Sequence, residues 1–165
     1  MKKQIFILVG PKGCGKTFIG TLIQKEIGIH FLRVEDIWLS LKSERLSNEY
    51  IIEGFSLVKK NIDQLLTSNS RIVIESTGTS EHFFTFLDIL RSSYEVKLIK
   101  IVASPDVCVN RIKSRDSSLH VPVSDDMLSL INQAALETNL DYDLIINNEK
   151  TSNNMIIKMF QSLLG

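Results

Sequence analysis

Apolar and polar positions fall into blocks along the chain that switch between two periods. Short apolar runs rich in Ile and Val lie at about 4–9, 30–34, 71–75, 96–102 and 143–147. The strongest, Ile5–Val9 and Ile72–Ile74, are apolar at every position, as in strands of a parallel sheet covered on both faces. Between the runs, apolar residues recur at helical spacing over about 16–27, 36–44, 47–68, 81–92, 105–115, 124–138 and 152–163. The longest pattern carries Tyr50, Ile51, Phe55, Val58, Ile62, Leu65 and Leu66 on one stripe and has Ser47 in front of it as a cap. Ser104-Pro105-Asp106 and Ser124-Asp125-Asp126 read as further helix starts, with Pro122 breaking the chain just upstream of Ser124. Strand and helix alternate from end to end. The expectation is one α/β domain over residues 1–165, a three-layer sandwich on a five-stranded parallel sheet with right-handed crossovers.

The first strand runs straight into Gly10-Pro11-Lys12-Gly13-Cys14-Gly15-Lys16-Thr17, and a helical pattern leads out of it. This is GxxxxGK[ST], the phosphate-binding P-loop, in the strand–loop–helix context that the motif requires. The glycines open backbone conformations that let loop N–H groups converge on phosphate oxygens, and the helix N-terminus adds partial positive charge. The whole stretch Gly10–Thr17 is the expected nucleotide-binding loop. Lys16 is placed to reach the β- and γ-phosphates and the Thr17 hydroxyl to ligate Mg²⁺. Cys14 sits at a variable position and reads as filler rather than a nucleophile.

Ligands of such sheets bind beyond the C-terminal ends of the strands, which selects the residues to weigh. After the second strand stand Glu35 and Asp36. One of two adjacent carboxylates can accept a proton from an attacking hydroxyl and the other can hold a water of the Mg²⁺ shell. Asp36 is the expected base or acceptor-orienting group, against a reading in which it only caps the next helix and Glu35 is solvated. Trp38 reads as core or cleft wall. Ile72-Val73-Ile74-Glu75 is an apolar strand ending in an acid, which puts Glu75 near Mg²⁺; a plain strand end before a Ser80 cap is the other reading. Arg111 and Arg115 are four residues apart, ahead of a polar irregular segment. They suit a lid closing on the triphosphate, or a solvated helix face. Asn147-Asn148 ends the fifth strand and suits either the adenine edge or a simple turn.

Composition changes this picture little. Lys plus Arg number 19 and Asp plus Glu number 19, so a zero formal charge weighs against a dedicated nucleic-acid binder. Cys14 and Cys108 have no metal-site spacing and suggest free thiols in a reducing compartment. No apolar run reads as a signal peptide or a membrane span, and the expectation is a cytoplasmic protein. Oligomeric state is not legible.

Taken together, GPKGCGKT at 10–17, VED at 34–36, IVIESTGT at 72–79, ASPDVCVNRIKSRD at 103–116 and YDLIINN at 142–148 resemble the small P-loop kinases. These include shikimate, gluconate and adenylate kinases and the related zeta-toxin-like and polynucleotide-kinase-like ATPases. The resemblance implies the sheet order 2-3-1-4-5, ATP with Mg²⁺, and transfer of the γ-phosphoryl group to a small hydroxyl- or phosphate-bearing acceptor. It implies catalytic roles for Lys16, Asp36, Arg111 and Arg115, nucleotide binding by residues 10–17 and Asn147, and metal binding by Thr17 and Glu75. It also implies an acceptor-binding helical region at about 36–68 and a lid at about 111–124. A nucleotide-driven regulatory ATPase and a nucleic-acid-end kinase are the rival readings. The chain departs from the shikimate kinase pattern at Ser76-Thr77-Gly78-Thr79, where a triple-glycine turn is expected, and near Phe55-Ser56, where an Arg would hold the substrate carboxylate. Lys59 or Lys60, one turn on, could replace that Arg. For a nucleoside monophosphate acceptor, Arg45 is the loose candidate.

Overall fold

Residues buried on both faces dictate the centre of the molecule. In the computed structural model, which describes residues 2–41 and 47–165, β1 (Gln4–Val9) is the middle strand and its Ile5–Val9 stretch is fully buried. It pairs in parallel with β3 (Arg71–Ser76) on one side and β4 (Glu95–Val102) on the other. The short β2 (His30–Leu32) lies outside β3 and β5 (Leu144–Asn147) outside β4, giving the order β2-β3-β1-β4-β5. The expected parallel sheet and its order both hold.

The two faces of β1 sort by residue parity. Ile5, Ile7 and Val9 pack under α2 (Val34–Ser40), α3 (Asn48–Ser68) and α4 (Glu81–Ser93) with Val58, Ile62, Phe83 and Leu87. Phe6 and Leu8 pack with Ile19 and Ile23 of α1 (Lys16–Ile27) and Phe160 of α7 (Asn153–Gln161). Between β4 and β5 run α5 (Pro105–Ser114), a 3-10 turn at Ser117–Leu119, and α6 (Asp125–Glu137). Ser47, Ser80, Ser124 and Ser152 each cap their helix by accepting a backbone N–H three residues on. Ser104 does not cap with its side chain; its N–H and hydroxyl instead donate to Glu149.

Two boundaries differ from expectation in ways that matter for the site. The second strand stops at Leu32, and α2 begins at Val34, two residues early. Val34 and Ile37 are one turn apart and both buried, while Glu35 and Asp36 occupy the first turn, where negative charge is favoured. α5 stops at Ser114, so Arg115 is an extended residue leading into the 3-10 turn and does not share a helix face with Arg111. Arg45 and the end of the helix expected over 36–44 lie outside the described residues. No helix among the described residues is long and apolar enough to cross a membrane.

Candidate active site

The loop between β1 and α1 is shaped by glycine. Gly13 and Gly15 have φ of 86° and 97°, left-handed values that disfavour any side chain. A Cβ on Gly13 would also run into the Cys108 carbonyl, and one on Gly15 into the Asn148 amide. Gly10 donates its N–H to the Ser76 carbonyl at 3.2 Å, tying the loop to the end of β3. α1 starts at Gly15 with no side-chain cap and no acid in its first turn, so its N–H groups remain available to an anion. The Lys16 ammonium folds back to donate to the Gly10 and Pro11 carbonyls at 2.7 and 2.8 Å. Cys14 is wholly buried, and burial pushes its thiol up from the ordinary value, so it packs rather than reacts.

Two asparagine side chains hold this loop from outside: Asn132, which sequence reasoning missed, and Asn148, which it named only beside Asn147. Asn132 on α6 makes a paired amide contact with Lys12, accepting from its N–H at 2.7 Å and donating to its carbonyl at 3.0 Å. Asn148 donates to the Cys14 carbonyl at 2.8 Å. The expected residue, Asn147, instead accepts the N–H groups of Glu149 and Lys150 and closes the turn after β5. The YDLIINN segment signalled an asparagine here, but nothing in it told which of the two faces the loop.

The carboxylates divide just as clearly. Glu75 is 8% exposed, and its Oε2 accepts the Thr17 hydroxyl at 2.8 Å. Its other oxygen is buried without a partner among the described residues. Burial raises Glu75 above the ordinary carboxylate value, although Lys16 and the Thr17 bond pull the other way. A hydroxyl and an orphaned carboxylate oxygen are hard donors that fit Mg²⁺. Among the described residues no cluster of three or more His, Cys, Asp or Glu could hold a metal ion.

At the start of α2 the two carboxylates face opposite ways. Asp36, read as the base, points away: its side chain is 59% exposed and paired to Arg33 at 2.7 Å. The early helix start turns Glu35 inward instead. Glu35 accepts from Val121 N–H at 2.9 Å and meets His120 Nδ1 at 2.8 Å, with Lys12 3.8 Å away. Burial alone would raise its pKa, but these bonds and charges outweigh burial and hold it below the ordinary value. Arg33 reaches across to the Leu119 carbonyl, so both ends of this turn grip the segment after α5.

Arg111 donates to the Cys14 and Asn148 carbonyls at 3.1 and 3.0 Å. It and Arg115 face the same cleft as Lys16, Thr17 and Glu75. The cleft has a volume of about 480 Å³ and continues past these groups between α2, α3 and α4. There its walls are Trp38, Tyr50, Phe55, Val58 and Phe86, with Thr77 and Thr79 at the end of β3. The substitutes weighed for a carboxylate-binding arginine do not reach it. Lys59 is held by Asp63 at 2.7 Å, and Ser56 and Lys60 line a separate groove on the outer face of α3.

Comparison with known proteins follows the same lines. A family model described as the ATPase family associated with various cellular activities (AAA) matches residues 6–118. A shikimate kinase of Clostridium botulinum (strain Alaska E43 / Type E3) is 28% identical, over 55% of this chain and 70% of the relative. A putative kinase from Chloroflexus aurantiacus j-10-fl superposes with a TM-score of 0.73 at 18% identity, covering 98% of both chains. The shikimate kinase from Aquifex aeolicus vf5 gives 0.65 at 17% identity, covering 98% of this chain and 96% of that one. At these identities the structural likeness concerns the fold.

Proposed function

We propose that this chain, which belongs to the ATPase family associated with various cellular activities (AAA), is an ATP- and Mg²⁺-dependent phosphotransferase of the small P-loop kinase type acting on a small acceptor. The observation that carries the reading is one cleft that continues beyond Lys16 and Thr17 to apolar walls formed by α2, α3 and α4. An ATPase that only hydrolyses needs no second chamber; a phosphotransferase must hold its acceptor in line with the γ-phosphate.

In this mechanism the loop N–H groups and α1 bind the phosphates. Lys16 leaves its two loop carbonyls for the β- and γ-oxygens. Arg111 and Arg115 offset charge as the phosphoryl group moves. Thr17 and Glu75 would hold Mg²⁺, which when bound would supply neutralisation of the triphosphate charge. Glu35, rather than Asp36, orients the acceptor hydroxyl and takes its proton. The segment from Arg111 to Ser124 acts as the lid, with Glu35 as its latch, and α2 and α3 form the acceptor region.

The test is transfer of label from [γ-³²P]ATP with Mg²⁺ across hydroxyl- and phosphate-bearing acceptors. Label appearing on one acceptor class is the expected result. Slow release of phosphate that no acceptor changes would instead mark a nucleotide-driven switch.

A further inference from the structure

On the kinase reading above, we propose that Lys12 is a second lysine of the transfer step: its ammonium bonds the γ-phosphoryl group on the side that faces the acceptor. The pattern GxxxxGK[ST] leaves this position open, so the motif gives Lys12 no task. The fold nevertheless turns it inward. Its side chain is only 17% exposed and lines the cleft together with Lys16, Thr17 and Glu75. Among the described residues its ammonium meets Glu35 Oε1 at 3.8 Å, too long for a hydrogen bond. That carboxylate already accepts from Val121 N–H and meets His120 Nδ1.

The backbone of Lys12 is fixed from outside the loop. The Asn132 amide holds both its N–H and its carbonyl, at 2.7 and 3.0 Å. With that N–H occupied, Lys12 meets an anion through its side chain. The surrounding charge favours one. Burial lowers the Lys12 pKa, Glu35 opposes the shift, and Lys16 and Arg115 add to it. Lys12, Lys16 and Arg115 thus crowd one poorly hydrated cleft, and a group carrying several negative charges among them relieves the repulsion. Position selects the phosphate. Lys16 and Thr17 stand at the α1 end of the loop, where the helix N-terminus receives phosphate. Lys12 stands beside Glu35, the group assigned above to the acceptor. Of the phosphates of ATP, the γ is the one that lies between those two places. In the reaction the acceptor oxygen bonds to the γ-phosphorus. The bond from that phosphorus to the β–γ bridging oxygen breaks, ADP leaves with the electron pair, and the hydroxyl proton passes to Glu35. Lys12 gives up no proton. It bonds a non-bridging γ-oxygen and offsets the repulsion between the phosphoryl group and the Glu35 carboxylate, which must approach the same acceptor oxygen.

The experiment measures how much the γ-phosphate adds to binding. Calorimetry on the full chain gives the Kd of Mg²⁺-ADP and of a Mg²⁺-bound, non-hydrolysable ATP analogue for the parent, Lys12→Met and Lys12→Arg. Methionine keeps apolar bulk without charge, and ADP binding reports whether the loop is intact. Lys12→Met is expected to weaken the analogue about tenfold, which is about 1.4 kcal/mol, and to leave ADP within about twofold. It should also lower kcat for label transfer from [γ-³²P]ATP by about ten- to a hundredfold. Lys12→Arg keeps the charge and should bind the analogue within about threefold of the parent. Equal weakening of ADP and the analogue, or no change in either, would overturn the proposal. So would a rise in KM for the acceptor with unchanged analogue binding, which would put Lys12 on the acceptor. Lys12→Arg as weak as Lys12→Met would assign the loss to packing and overturn the role of the charge. A parent that transfers label to no acceptor would sink the kinase reading, while an analogue-selective loss in Lys12→Met would still support Lys12 at the γ-phosphate.

Discussion

The two halves of the cleft are built on opposite principles. The phosphate half is local: eight consecutive residues, Gly10–Thr17, make the loop, and its conformation depends on positive φ at Gly13 and Gly15. The proposed acceptor half is assembled from α2, α3, α4 and the end of β3, with rings drawn from Trp38 to Phe86. One half binds a ligand common to many proteins and so is written as a motif. The other is free to vary, because any apolar residue at those helical positions also satisfies the core. In such a molecule the general part of the chemistry sits in a contiguous signature and the specific part in a long-range arrangement.

The strongest way to break this comparison is Lys16→Ala. It removes the point charge from the phosphate half and is expected to lower kcat by about a hundred- to a thousandfold for every acceptor alike. Steady-state kinetics on two unlike acceptors check it; a loss confined to KM for one acceptor would mean that the halves are not separate.

Glu75→Gln comes next. The folded pKa of Glu75 is raised by burial, so the folded protein binds its proton more readily than the unfolded chain does. The carboxyl therefore favours folding most at low pH, and that contribution is lost as pH rises through the folded value. Near neutrality its buried charge is a cost that Mg²⁺ would offset. Glu75→Gln should be at least as stable as the parent without metal, while losing about ten- to a hundredfold in Mg²⁺-dependent turnover. Thermal melts with and without Mg²⁺-nucleotide check both: the parent gains from the metal and the variant does not. A variant that melts earlier without metal would show that Glu75 is structural.

Gly13→Ala tests how far the local half depends on backbone shape. Its positive φ and the Cys108 carbonyl beside it leave no room for a methyl group, and the expected cost is about 1–3 kcal/mol of stability together with weakened nucleotide binding. Denaturant unfolding and calorimetric titration with an ATP analogue check it.

This division also explains what could be read in advance. The strands and helices of the described residues were legible because buried parallel strands and capped amphipathic helices leave one-dimensional periodicities, whereas the sheet order came from the resemblance to the small P-loop kinases. Lys16, Thr17 and Glu75 come together because a motif and a strand end specify them. Asn132 was invisible: α6 approaches the loop through tertiary packing, and its contact with Lys12 spans 120 residues. Asn147 and Asn148 were distinguishable only by which side chain the turn after β5 directs inward. Arg111 and Arg115 both line the cleft, but α5 ends between them, so they do not share the helix face expected of them.

The smallest expected difference is the most instructive, because it separates neighbours. Glu35→Gln and Asp36→Asn change one oxygen each in adjacent residues. Two residues of offset in the start of α2 send Glu35 to the cleft and Asp36 to solvent. Glu35→Gln is expected to slow turnover about tenfold, modest for a base because the transition state is loose and needs little proton transfer. Asp36→Asn, which loses only an exposed ion pair, should stay within about twofold. The latch gives an independent readout. Glu35 has a folded pKa below the ordinary 4.5, so its contribution to holding the lid is complete above that value and is lost as pH falls through the folded one. Hydrogen exchange over residues 116–124 should therefore gain an acid-sensitive opening in the parent and in Asp36→Asn. In Glu35→Gln the segment should already be open at neutral pH and show no such step. If Asp36→Asn were instead the variant that slows transfer, helix α2 would have to start later than it does, and the inward face of the acceptor half would have to be redrawn around it.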